Sequence, residues 1–379
     1  NTMSSVLKNL AQKEKCLTQY QKNLKIKAME NTQFKNRNRY EWVDNIKLAC
    51  CILVVLGHFY QSMIASEIIK GSLFYSFSIQ TMYTFHVPLF FVCSGFLYQK
   101  SNKVHNLKSW SKNVSDKLLN LGVPYFTFTL ITLVIKKIFS DSVNNPADDF
   151  FKTLFINPTA PYWYLYALFF LFLFIPCLKT KKQAVLLFTF SFFARILYLV
   201  CSYNSIQLPY ILNSTFARMI WFVIGMCLAF DMFDLTSILS KIIMMVTGIT
   251  ALVLSVYFYR EENLDLNIQY IIGLLFVISI IILSQNLQFK SVNKISFKFR
   301  EYFMPVYVMH TIAAAGVRIL LLKLNIQAPF IHIVLGVLAG FVLPVIAYEI
   351  AKRIPVLLFF IYPKKAIFAI KQKREITHE

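Results

Sequence analysis

The sequence predicts an all-α, polytopic membrane protein of about ten transmembrane helices. Three observations carry this reading. The 379-residue chain is 57% hydrophobic and only 15% charged, whereas soluble domains run near about 45–50% and 25%. Mean hydropathy is +0.56 and 37 residues are Phe, more apolar side chain than one or two soluble domains can hide. The apolar residues gather into runs of roughly 20, the length that crosses hydrocarbon as a helix. Disorder, a coiled coil, a secreted disulfide scaffold and a nucleic-acid enzyme are excluded.

In chain order, residues 1–40 are polar and basic, lack the apolar core of a secretory signal, and read as a cytoplasmic tail. The expected spans are 43–63, 79–99, 118–139, 162–178, 183–201, 212–230, 239–259, 267–285, 302–323 and 330–350. Lys clusters, Asn, Pro and acidic residues separate them. Only Lys179-Thr180-Lys181-Lys182 parts the fourth span from the fifth, which predicts a tight helical hairpin. Residues 351–379 read as a second basic cytoplasmic tail. No internal repeat relates the halves, which argues against a transporter built from inverted repeats.

Orientation follows from the cations. With the N-terminus inside, 29 Lys and Arg fall on inner segments and 6 on outer loops, while Lys47, Arg195, Arg218 and Arg318 lie within spans. Such asymmetry places both termini in the cytoplasm. The outer loops are also acidic in places, as at Asp141, Asp148, Asp149, Glu261 and Glu262. The net charge of +21 is therefore chiefly an insertion signal, with attraction to anionic membrane lipids as a by-product. No nucleic-acid partner is expected. The seven Cys form no CxxC pair, and all but Cys16 lie in apolar runs. They read as small buried side chains.

Ionisable residues within spans are costly and usually face a cavity or a partner. Eleven residues separate Lys47 from His58, so at about 100° per residue both lie on one helix face, about 16 Å apart along the axis. Asp44 falls on the same stripe. A lined pathway fits this spacing. So does Lys47 snorkelling to the interface with His58 bonded to a neighbouring helix. His86 reaches a similar depth on the second, antiparallel span, next to Pro88, with Ser94-Gly95 further toward the inner side. No Asp, Glu or Cys with ligand spacing joins the two His, so no metal is expected. Pro161-Tyr-Trp-Tyr-Leu-Tyr166 opens the fourth span and reads first as an interfacial belt. The sixth span holds Arg218 and the ninth His310 and Arg318, about 80° apart around the helix. The tenth has Gly336 and Gly340 in a small-xxx-small pattern, then Glu349 near the inner interface.

These residues sit in segments that resemble a known family. YEWVDNIKLACCILVVLGHF, FHVPLFFVCSGFLY, KLLNLGVPYF, PYWYLYALFFLF, FARMIWFVIGM and FMPVYVMH occur in that order. Over about residues 38–350 the chain resembles the integral-membrane acyltransferase 3 family, in its fucose 4-O-acetylase-like branch. The resemblance implies transfer of an acyl group, usually acetyl from acetyl-CoA, to a hydroxyl of a sugar or lipid-linked glycan. It implies a multi-pass protein of a bacterial inner membrane. The family's Arg-x10-His motif falls on Lys47 and His58, with Lys in place of Arg. Its basic stretch in the first inner loop falls near Lys112 and Lys117.

Acyl transfer needs an activated nucleophile and a stabilised oxyanion. His58 is the candidate general base and His86 its partner imidazole. Ser94, with nearby backbone N–H groups, is the oxyanion donor. Lys47, Lys112, Lys117 and Arg218 are the cationic contacts for CoA. Asp44, Trp163, Tyr164 and His310 are the candidate acceptor contacts, the rings for sugar stacking. The rival readings are a glycan or lipid-carrier flippase, which needs paired charges along a through-path, and a membrane sensor or scaffold, which needs no His pair.

The charge bias is testable by labelling. In a background free of other reactive cysteines, Asn145→Cys should react with an impermeant maleimide from outside and His105→Cys should not. The reverse pattern overturns the orientation.

Overall fold

The computed structural model describes residues 40–70, 73–101, 104, 106–144, 149–232, 234–261, 265–287 and 290–377. The basic tail expected at the N-terminus lies outside them as far as residue 39, as do Cys16, Asp148 and Glu262. The chain divides into compact units after Glu41, and the description below concerns Trp42 onward. The elements are α1 (Glu41–Ala65), α2 (Leu73–Ser101), α3 (Leu107–Lys117), α4 (Val123–Ile138), α5 (Trp163–Phe174), α6 (Lys181–Tyr203) and α7 (Tyr210–Leu228). They continue as α8 (Ile238–Arg260), α9 (Leu266–Asn286), α10 (Lys290–Phe299), α11 (Phe303–Lys323), α12 (Pro329–Ala351), α13 (Pro355–Ile361) and α14 (Pro363–Thr377). Among the described residues there is no strand. Nine stretches of the described residues are long and apolar enough to cross a membrane, counting α3 and α4 as one through a π-helical turn at Leu118–Gly122.

The expected full-length fourth span needs correction. α5 has 12 residues, about 18 Å, too short to cross alone. Ile175 precedes Pro176, and the residue before proline resists the helical conformation. The chain continues without helix through Ile175–Lys179. Irregular backbone at this depth survives only where protein supplies its hydrogen bonds. Here the end of α2 does so. The Tyr98 hydroxyl donates to the Ile175 carbonyl at 3.0 Å. Gln99 donates to the Leu178 carbonyl at 2.7 Å and accepts from its N–H at 2.9 Å. Trp110 of α3 donates to the Leu173 carbonyl at 3.2 Å. The predicted α5–α6 hairpin is not a packed pair either, because α6 packs along α7.

Glycines set the close crossings. α2 and α7 form the most extensive helix pair. A Cβ on Gly95 would collide with the Phe222 carbonyl, and one on Gly225 with the Val92 carbonyl. Each helix therefore presses a glycine onto the other's backbone. The Gly336 and Gly340 pattern behaves likewise: added Cβ atoms would meet the Phe59 ring and Val55, so α12 lies against α1. α11 packs along α12, which brings α1 and α11 side by side.

At the basic face, the segment expected as a loop between the eighth and ninth spans contains the amphipathic α10. Asn45 of α1 donates to the Asn293 side chain at 2.7 Å and accepts from Ser296 at 2.7 Å. The C-terminal region is helical and docked: Lys364 pairs with Asp116, Tyr362 donates to the Glu301 carbonyl at 2.7 Å, and Lys365 to the Tyr348 hydroxyl at 3.0 Å. Glu349 is not merely solvated. It accepts from Tyr302 at 2.8 Å and pairs with Lys352 at 2.6 Å.

The glycine contacts predict a sharp contrast. Gly225→Leu should destabilise the detergent-purified protein by about 1–3 kcal/mol or more, the usual cost of overpacking. Gly316→Ala, where an added Cβ meets nothing within 4 Å, should leave its melting temperature close to wild type. Thermal unfolding followed by size exclusion reads both.

Candidate functional site

The helices α1, α4 and α11 each start near the Lys/Arg-rich face. Their far halves line a partly open cavity of about 730 Å3. Its wall includes His58, Gln61 and Ser62 from α1, Thr132 and Lys136 from α4, and His310, Thr311, Arg318 and Lys323 from α11. Asn144, Thr159 and Ala160 close it from the α4–α5 connection. The volume falls within the range of sites for small molecules.

His310 is held in one orientation. Its ring is 1% exposed, and Nδ1 lies 3.0 Å from the Val306 carbonyl and 2.9 Å from that of Tyr307. A carbonyl only accepts, so a neutral ring carries its proton on Nδ1 and leaves a lone pair on Nε2. Nε2 is buried and has no hydrogen-bond partner. The His58 ring stands beside it, 5.3 Å between centroids. The sequence expectation paired His58 with His86 instead. The Tyr83 ring contacts both imidazoles, at 6.3 Å from His58 and 4.8 Å from His86. The Nδ1 atom of His86 is 2.6 Å from the Met82 carbonyl, and His86 is absent from the cavity wall.

Other anticipated residues are placed elsewhere. Ser94 shares a hydrogen bond of 3.1 Å with the Tyr164 hydroxyl, which also donates to the Phe90 carbonyl at 3.4 Å. Trp163 carries the Arg218 guanidinium on its ring at 4.4 Å, and Arg218 also donates to the Ser214 carbonyl at 3.3 Å. None of these four residues lines the cavity. Arg218 stands eight residues, about 12 Å, from the end of α7 remote from the basic face. Lys117 lies 3.7 Å over the Phe172 ring near the C-terminus of α5, where the helix dipole also favours a cation. Lys112 is exposed, and Asp44 and Lys47 are half-buried. Lys47 precedes Val55, the first cavity residue of α1, by eight residues, about 12 Å of helix.

The structure brings in residues that sequence reasoning passed over. Arg318 shares the cavity with His310, although their 80° offset gave no reason to expect a common face. Arg318 donates to the Ser62 carbonyl at 3.1 Å and to the Ser62 hydroxyl at 2.6 Å. The same carbonyl accepts from Asn144 at 2.9 Å. Below them, Thr132 and the Tyr162 hydroxyl are 2.8 Å apart, Tyr162 donates to the Val308 carbonyl at 3.1 Å, and Tyr307 donates to the Pro161 carbonyl. These contacts fix α4, α5 and α11 around the imidazoles. The one available signal was the cost of placing Arg318 within a span at all.

A family model described as an acyltransferase domain matches residues 40–349. No curated protein and no solved structure matches the chain.

Proposed function

The chain belongs to the acyltransferase 3 family, and on that premise we propose that this membrane acyltransferase moves an acetyl group from acetyl-CoA to a hydroxyl of a cell-surface or lipid-linked sugar, as the fucose 4-O-acetylase-like branch does. The observation that carries the reading is the His58–His310 pair in the wall of a cavity lined by apolar helices. A sugar hydroxyl is a weak nucleophile at neutral pH, and a neutral imidazole within reach removes its proton as attack proceeds. The hydroxyl oxygen attacks the thioester carbonyl carbon and its proton passes to His58. The carbon–sulfur bond then breaks, and the CoA thiolate leaves and takes up the proton. The Nε2 lone pair of His310, oriented by the backbone bonds at Nδ1, is the second basic atom beside the reacting hydroxyl.

The donor approaches from the basic face, which in this reading is the cytoplasmic face of a bacterial inner membrane with both termini inside. Lys47 and Lys112 are the CoA phosphate contacts. Lys provides a point charge for phosphate without the two-pronged geometry of Arg. Lys117 and Arg218 are engaged with aromatic rings and leave that role. The acceptor reaches the cavity from the opposite face.

Two experiments test this assignment. His58→Ala should lower kcat by about 10²–10⁴, the usual contribution of a general base, while acetyl-CoA still stabilises the protein against heat. His58→Gln keeps size and hydrogen bonding but takes no proton at neutral pH, so it should be equally inactive. An active, folded His58→Gln alongside an inactive His310→Gln would move the base to His310. For the donor, Lys47→Ala should raise the acetyl-CoA KM more than the acceptor KM, and Lys47→Arg should keep most activity. An unchanged donor KM in Lys47→Ala assigns Lys47 to snorkelling.

A further inference from the structure

We infer that Gln61 donates the hydrogen bond that stabilises the oxyanion during acyl transfer, and that Tyr83 positions it. The inference rests on the acyltransferase reading and supplies a group that reading leaves unassigned, because Ser94, the donor expected from the sequence, is bonded to Tyr164 away from the cavity. Gln61 follows His58 by three residues on α1, and both line the cavity. Residues so spaced are neighbours on a helix, with Cβ atoms about 5–6 Å apart. One carbonyl group can therefore lie against both side chains.

Tyr83 fixes which end of the amide faces the cavity. Its hydroxyl donates to Gln61 Oε1 at 3.1 Å. Its ring stands edge-on to His58, 6.3 Å between centroids. Gly57 makes room for it, since a Cβ there would stand 3.2 Å from the Tyr83 hydroxyl. Gln61 lies about 40° around the helix from Gly57 and about 60° from His58, so it borders the cavity on the Tyr83 side. With Oε1 held there, Nε2 and its two donors turn the other way, toward the cavity. Elsewhere in the wall, Asn144 and Arg318 donate to Ser62, and Thr132 is bonded to Tyr162.

The chemistry decides what such a donor serves. A hydrogen bond to the attacking hydroxyl oxygen would hold a lone pair that the attack needs. One to the thioester oxygen strengthens as negative charge gathers there. The hydroxyl oxygen bonds to the carbonyl carbon while its proton passes to His58, and the carbonyl π pair moves onto the oxygen, where Gln61 donates. The pair then returns, the carbon–sulfur bond breaks, and the CoA thiolate leaves and takes the proton from His58.

The test uses permeabilised cells of the source organism in which the full chain or a variant replaces the native copy, so that the natural acceptor is present. Alkali-labile label from radiolabelled acetyl-CoA is counted above that of cells lacking the protein. In Gln61→Glu the carboxylate still accepts from Tyr83 but has no N–H to give. It should lower the maximal rate by about 10²–10³, the usual cost of one oxyanion donor, while the acetyl-CoA KM and the melting temperature of the purified protein stay near wild type. Gln61→Leu should do the same. Tyr83→Phe keeps the ring and loses the hydroxyl, and should cost about tenfold, the order of one hydrogen bond. Added to Gln61→Leu it should cost little more, because the hydroxyl acts through the amide. A Gln61→Glu protein that transfers acetyl at the wild-type rate overturns the inference while the acyltransferase reading stands, and so does one whose loss is confined to a raised acetyl-CoA KM. Wild-type cells with no label above the background overturn the acyltransferase reading itself, and the inference with it.

Discussion

Hydrocarbon offers no hydrogen bonds, and this protein is arranged around that constraint. A buried polar group in a membrane must find its partner in the chain itself. The clearest case is the break after α5. Pro176 stops the helix half-way through, and the freed backbone at Ile175 and Leu178 is taken up by Tyr98 and Gln99 at the end of α2. A short helix and an irregular segment stand where the sequence predicts one span. They also leave the start of α5 where Tyr162 and Thr132 tie it to α4 and α11.

The same constraint shapes the cavity. Val306 and Tyr307 carbonyls hold one nitrogen of His310 and leave the other bare. Ser62 gives Arg318 two oxygens at the far end. Between them the packing comes from glycine. Gly336 and Gly340 let α12 lie on α1, and α12 carries α11, which sets His310 beside His58. Neutral imidazoles suit such a place, since a fixed cation there would need a counter-charge.

The aromatic cluster at the start of α5 illustrates how one sequence feature can serve structure instead of substrate. Trp163 and Tyr164 form a plausible sugar-stacking surface by composition. In the fold, Trp163 is occupied by Arg218 and Tyr164 by Ser94 and Phe90. Arg218 thereby gains a desolvated cation–π contact worth about 2 kcal/mol, which helps to keep a guanidinium within α7.

The sequence by itself determined the class and nine of the ten expected spans, because hydrophobic length is a local property summed along the chain, and its Lys/Arg bias gave the expected direction. It also singled out His58 and His310, because an imidazole in an apolar run is conspicuous without any fold. Only the tertiary structure decided which of these meet. By sequence His58 and His86 reach a similar depth, yet depth is one coordinate of three; Tyr83 of α2 contacts both rings, while α11 sets His310 beside His58. Arg318 joined the site for the same reason: an 80° offset on one helix does not separate two residues when the cavity they line is wide. The short α5 was partly legible in Pro176. The support of the irregular chain after it was not, because the hydrogen bonds that hold it come from Gln99, 79 residues away in the chain.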